Sequence, residues 1–134
     1  MNEPTPSNAH VFLKKYQLRG GRLIRFRVHR PLAGGSTAEV RLAARDTETN
    51  RRVRLRLVFD GVEEFRFQRR PGPSRDRLND VQVGFFGPLV YLNLDAFPED
   101  GPPKVMDFRA SDSFLAGRTA RWEVMEKGPA GGVA

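Results

Sequence analysis

Apolar and polar residues alternate along most of this chain, with the period of two that is typical of strands with one buried face. Arg22–His29, Ala38–Arg45 and Arg52–Phe59 show the pattern most clearly. In the last of these, arginines at positions 52, 54 and 56 oppose valine, leucine and phenylalanine. A register slip of one residue would bury the guanidinium groups, so the pattern strongly determines which side faces the core.

Turn-forming residues separate these segments and predict antiparallel connections. Asp46–Asn50 closes a hairpin between the second and third strands, and Asp60-Gly61 is expected to turn the chain into a further strand over Glu63–Gln68. A proline- and glycine-containing loop, Arg69–Arg77, precedes the second half. Further strands are predicted over Leu78–Phe86, Leu89–Asp95, Val105–Ala110 and Thr119–Met125.

This spacing predicts a mainly β fold, an antiparallel β-sandwich or a partly open β-barrel of about seven or eight strands. Ser7–Leu18 is a candidate for one short N-terminal helix. We expect a single β-rich domain over residues 1–127, with residues 1–8 flexible and a disordered Gly/Ala tail over 128–134.

Composition narrows the function classes. The chain has 134 residues, no cysteine and a net charge of +7, and it lacks an apolar run that could span a membrane or direct secretion. We therefore expect a cytoplasmic protein with no membrane partner and no disulfide or thiolate site. Its residues 14–77 contain eighteen basic against seven acidic side chains, whereas 78–134 contain five against eight.

This uneven charge predicts a basic sheet face. The outward residues Arg25, Arg27, Arg41, Arg52, Arg54 and Arg56 are the candidate partner-binding residues. Adjacent guanidinium groups repel, so such a face needs acidic residues interleaved across the strands or an acidic partner. Glu39, Glu63, Glu64 and the acidic second half of the chain are available for the first solution. A solvated surface that merely favours arginine is the alternative interpretation.

No motif predicts catalysis, a metal site or a cofactor. His10 and His29 are the only histidines, too few for a catalytic zinc site in a chain without cysteine. Ser36 follows Gly34-Gly35 in a turn without the spacing of a hydrolase nucleophile. The Glu63 and Glu64 side chains are expected to diverge from a strand. We therefore predict a non-enzymatic protein.

Nucleic-acid binding is the main alternative function. Arginines spaced two apart on a strand, as at positions 52, 54 and 56, project at about 6.6–7 Å intervals, near the spacing of successive phosphates. Single-strand binders also stack bases on exposed aromatic rings. Here Phe26, Phe59, Phe65 and Phe67 fall on apolar faces, and Tyr91 is the one aromatic residue on a predicted polar face.

Five segments carry a family resemblance: VRLRLVFDGVEEFRF at Val53–Phe67, DVQV at Asp80–Val83, VYLNL at Val90–Leu94, MDFRASDS at Met106–Ser113 and WEV at Trp122–Val124. In this order they resemble the immunity protein 50 family of bacterial polymorphic-toxin systems. The resemblance covers about residues 22–125. It implies a β-rich protein that binds and neutralises a cognate toxin, and it transfers no catalytic residue.

Three functions therefore stay open. The first is a protein-binding module of the immunity type that recognises an acidic partner through the basic sheet face. The second is a nucleic-acid-binding β-domain. The third is a structural domain whose basic face is neutralised by the acidic second half of another copy, as a homodimer.

Overall fold

A computed structural model describes residues 9–68, 77–78, 80–96 and 103–125 of the chain. Within these ranges, two helices and six strands follow one another in the order α1 Ala9–Lys15, β1 Tyr16–His29, β2 Thr37–Asp46, β3 Arg52–Phe67, β4 Asp80–Phe86, β5 Leu89–Ala96, α2 Val105–Arg109 and β6 Ser113–Val124. The predicted flexible residues 1–8 and the predicted tail 128–134 lie outside the described part.

The strands form one antiparallel sheet in the order β1-β2-β3-β6-β5-β4, curled into a half-barrel. The two edges of the sheet come together at one point, because the Gly20 N–H donates to the Leu78 carbonyl and the Leu78 N–H donates to the Gly21 carbonyl, both at 2.9 Å. The mainly antiparallel β prediction is confirmed, and a partly open barrel describes the curled sheet better than a sandwich does.

The strand expected to end at Phe59 continues without a hairpin at Asp60-Gly61. β3 runs to Phe67 and pairs with β6 along this length, with one register shift between Val62 and Glu64. Gly61 has φ +62°, so it supplies the positive φ that the sequence indicated, but within a continuous strand, just before the register shift, rather than in a turn. The predicted turn was therefore wrong, because a strand can include a glycine at positive φ without reversing the chain.

Val105–Ala110 is the second misassigned segment, since most of it forms the helix α2. The alternation of Met106, Phe108 and Ala110 suggested a strand, yet Met106 is 75% exposed while Phe108 is fully buried. Val105 and Phe108 are three residues apart and pack into the same cluster, which is helical spacing. The Asp107 carboxylate accepts a 2.7 Å hydrogen bond from the Lys104 N–H and fixes the first turn.

Apolar side chains fill the concave surface of the sheet and form a smaller cluster at one end of the convex surface. The main core fills the concave side with alternate residues of the strands, including Val40, Leu55 and Leu115. Helix α1 is shorter than the predicted Ser7–Leu18, and its Phe12 contacts Trp122 with ring centroids 4.6 Å apart. On the convex side, α2 covers a smaller cluster of Leu89, Tyr91, Phe108, Phe114 and Ala116.

Gly20 and Gly21 lie in the irregular part of β1 between Gln17 and Arg22, and Gly21 is packed closely enough that replacing it should destabilise the protein. A Cβ at Gly21 would lie 2.2 Å from the Ala43 carbonyl oxygen, which belongs to the paired strand and cannot move aside. We expect Gly21→Ala to lower the free energy of unfolding in urea by about 1–3 kcal/mol. Gly35→Ala is the matched control, because a Cβ there meets nothing within 4 Å. Equal stability of the two variants would contradict the close approach.

Candidate functional site

The convex surface of β1, β2, β3 and the end of β6 carries the arginines that the sequence placed outward. Their strand pairing arranges them in five rows: Gln17–Arg45–Arg52, Arg22–Ala43–Arg54, Arg25–Arg41–Arg56–Glu123, Arg27–Glu39–Val58–Arg121 and His29–Thr37–Asp60–Thr119. We call these rows the basic face. They contain nine arginines against three acidic residues. All six candidate residues predicted from the sequence belong to this face.

Glu39 organises the centre of the basic face. Its carboxylate contacts three guanidinium groups from three strands: Arg25 at 3.7 Å, Arg41 at 3.2 Å and Arg56 through a short hydrogen bond from its Nε. Arg56 also reaches the Glu123 carboxylate at 3.4 Å. Acidic residues are thus interleaved between the arginines, which is one of the two ways in which the predicted repulsion could be relieved.

These contacts change the ionisation of the pair at the centre. The hydrogen bond from Arg56 is the main cause that holds the pKa of Glu39 below its ordinary value of 4.5, against an opposing effect of burial. The same bond raises the pKa of Arg56. The Glu39 side chain is only 18% exposed, so its charge acts at short range on its three neighbours.

The candidate arginines therefore divide into two groups. Arg25, Arg41 and Arg56 contact Glu39, and Arg56 also contacts Glu123, so two carboxylates compensate part of their three charges. Arg27, Arg52 and Arg54 form no ion pair with an acidic residue in the described part of the chain. Arg22, which was not among the candidates, behaves in the same way and lies beside Ala43 opposite Arg54. Cationic groups available to a partner thus lie around this partly compensated centre.

A second polar network lies at the other end of the convex surface. Arg109 of α2 donates to both oxygens of the Glu64 carboxylate, at 2.8 and 2.9 Å, and the Tyr91 hydroxyl donates to the same carboxylate at 2.7 Å. The Arg109 bond mainly lowers the pKa of Glu64, whereas burial is the main cause that raises the pKa of Tyr91. Tyr91 is 2% exposed, so the aromatic residue expected on a solvated polar face is buried beneath α2.

Groups considered for chemistry do not converge in the structure. Glu63 contacts Arg118 at 2.7 Å and Glu64 contacts Arg109, so the two carboxylates diverge as predicted. His29 is exposed at the end of β1, and Ser36 precedes β2. Among the described residues, no three His, Cys, Asp or Glu side chains are grouped so as to hold a metal ion.

Comparisons with protein-family models, with curated proteins and with solved structures give no match for this chain. The resemblance to the immunity protein 50 family accordingly stays a prediction. None of the helices in the described ranges is long and apolar enough to cross a membrane.

Proposed function

We propose that this domain is a non-enzymatic binding module that recognises an acidic surface of a partner protein through its basic face. The main support is a set of four arginines around Glu39, at positions 22, 27, 52 and 54. None of the four has an acidic partner in the described part of the chain. A role of the immunity type, in which the acidic partner is a bacterial toxin, follows from the resemblance and belongs to the same proposal.

The scaffold suits recognition by a fixed charge pattern. The unpaired arginines project from paired strands, and the Glu39 contacts join β1, β2 and β3 on the same face. A backbone that is already ordered loses little conformational entropy on binding. Arginines without an acidic partner mainly accelerate association with a partner of opposite charge, and salt reduces this acceleration by screening the charges.

An acidic protein fits the basic face better than single-stranded nucleic acid does. The five rows contain no Phe, Tyr or Trp on which bases could stack. Tyr91 is buried beneath α2, and Trp122 packs against the main core with Phe12 and Tyr16. Recognition of an acidic protein surface needs no aromatic rings, because guanidinium groups form forked hydrogen bonds with its carboxylates.

Reversing one unpaired charge tests the proposal. We expect the wild-type domain to capture a specific acidic protein from nuclease-treated host extract at ~50 mM salt, with capture lost at ~500 mM. Arg54→Glu should abolish capture, because it opposes the partner charge without breaking an ion pair among the described residues. Mass spectrometry identifies the captured protein, and the association rate measured with that protein should fall at least about ten-fold in Arg54→Glu.

Lys14→Glu is the matched control for this experiment. Lys14 is exposed on α1 and belongs to none of the five rows, and its replacement changes the net charge by the same amount. Capture by Lys14→Glu should equal that of the wild type. Equal capture by Arg54→Glu would contradict a role for the basic face, and capture that depends on nucleic acid in the extract would favour the nucleic-acid alternative.

A further inference from the structure

A cleft opens where β1 bulges away from β2. Gln17 pairs with Arg45 and Arg22 pairs with Ala43, so the residues between Gln17 and Arg22 are opposed by Ala44 alone. The bulge leaves a depression of about 220 Å³ at one end of the basic face, bordered by β1, β2, the start of β3 and Arg77. Neither the sequence pattern nor the proposed protein-binding function accounts for it.

The side chains that line this cleft have one kind of charge. Five arginines border it, at positions 19, 22, 45, 52 and 77, and no acidic residue of the described chain does so. The Arg45 guanidinium is held by the Asn50 side chain at 3.0 Å, and Arg19 makes a loose contact of 3.6 Å with Asp80 outside the lining. Arg22 and Arg52 have no acidic partner among the described residues.

The cleft is built by close backbone packing rather than by a loose loop. Gly20 has φ +81°, and Gly21 lies so close to the Ala43 carbonyl that any larger residue would collide with it. Two hydrogen bonds join the bulge to Leu78, which places the neighbouring Arg77 opposite Arg22. Three strands and the segment at Arg77 thus bring guanidinium groups to one depression.

The geometry points to a binding site for a diphosphate group in this cleft. Its volume is below the roughly 300–1,000 Å³ of sites that enclose a drug-sized molecule, and it equals the liquid volume of about seven water molecules. A compact anion therefore fits, with any larger remainder of the ligand outside. Several guanidinium forks around one small volume match the many oxygens of a diphosphate better than the two oxygens of a single carboxylate.

Calorimetric titration of the full chain with pyrophosphate at ~150 mM salt tests this site directly. We expect one pyrophosphate per chain and tighter binding than that of sulfate at the same ionic strength. Arg52→Gln and Arg22→Gln should each weaken binding about ten-fold, since each removes a charged hydrogen-bond donor from the lining. Both side chains are exposed, so we expect both variants to fold as the wild type does.

Arg27→Gln is the matched control, because Arg27 belongs to the basic face and is exposed, yet does not line the cleft. It should bind pyrophosphate as the wild type does. An equal loss in Arg27→Gln, a stoichiometry above one, binding of sulfate with equal affinity, or no binding would overturn the site. Adenosine diphosphate separates the two sources of the group, because tighter binding than pyrophosphate identifies a nucleotide and equal binding identifies the free diphosphate.

The diphosphate site and the proposed protein partner fail independently. Pyrophosphate titration needs no partner protein, and partner capture is tested with Arg54→Glu, a residue outside the lining of the cleft. If the domain binds pyrophosphate but captures no acidic protein, the diphosphate site is supported and the proposed function is contradicted. If it captures an acidic protein but does not bind pyrophosphate, the proposed function is supported and the diphosphate site is contradicted.

Discussion

Replacing Phe108 by alanine is expected to lower the free energy of unfolding by about 3–5 kcal/mol. Phe108 is fully buried between α2 and the convex surface of the sheet, and its ring lies 5.6 Å from those of Phe86 and Tyr91. A Cβ built on Gly84 would meet the Phe108 ring at 2.8 Å, so this ring packs directly on the β4 backbone. Strand backbone cannot move in to fill the space, and a cavity would remain.

Met106→Ala is the matched control for Phe108→Ala, because Met106 lies on the same short helix and is 75% exposed. Its stability in urea should change by no more than about 0.5 kcal/mol. The near-ultraviolet circular dichroism of the aromatic cluster should decrease in Phe108→Ala only. A small effect of Phe108→Ala would show that α2 is not a structural part of the domain.

Replacing Glu39 by glutamine is expected to destabilise the protein by about 2–3 kcal/mol at neutral pH. Glutamine keeps the shape of the side chain but removes the charge that compensates three guanidinium groups. Arg25, Arg41 and Arg56 would then repel one another across three neighbouring strands. Partial exposure of the arginines keeps the effect below that of a fully buried pair.

The pH dependence of stability provides a second measurement on Glu39. Its folded-state pKa is lowered below 4.5, so the unfolded chain binds the proton more readily. The stabilisation is therefore complete above about pH 4.5 and is lost as the pH falls through the folded-state pKa. The Glu39→Gln variant should lose less stability than the wild type over this acidic range, because it no longer carries the titrating group.

Glu63→Gln is the matched control for Glu39→Gln, since Glu63 has one ion pair, with Arg118, and its side chain is 42% exposed. Exposed single pairs contribute at most about 1 kcal/mol. Equal destabilisation by the two variants would show that the three arginine contacts of Glu39 contribute no more to stability than a single exposed ion pair.

The strands and their faces could be predicted because alternation reports directly which side chains avoid water. Val53, Leu55 and Leu57 point into the core, and the arginines between them point outward, as expected from the pattern alone. The same logic failed at Val105–Ala110, because over six residues a helix and a strand can bury the same phenylalanine. Helix α2 exists because Phe108 and Val105 pack on the sheet, which no local pattern shows.

The candidate site could be predicted only in part. Outward arginines on neighbouring strands follow from alternation, but the contact of three of them with Glu39 depends on the register of β1, β2 and β3. The cleft was missed because its arginines come from segments far apart in the chain. Its signal was the Gly20-Gly21 pair between β-forming residues, since glycines within a strand often mark a bulge or a close backbone approach.

The sequence by itself determined an antiparallel β-domain with apolar and arginine-rich strand faces, because period-two patterning is a local property of the chain. Tertiary structure alone decided that β3 continues through Gly61, that Tyr91 is buried and that Glu39 contacts three arginines. It also decided that five arginines surround one cleft. These features depend on which strands are neighbours and in what register, and both follow from packing of the whole sheet.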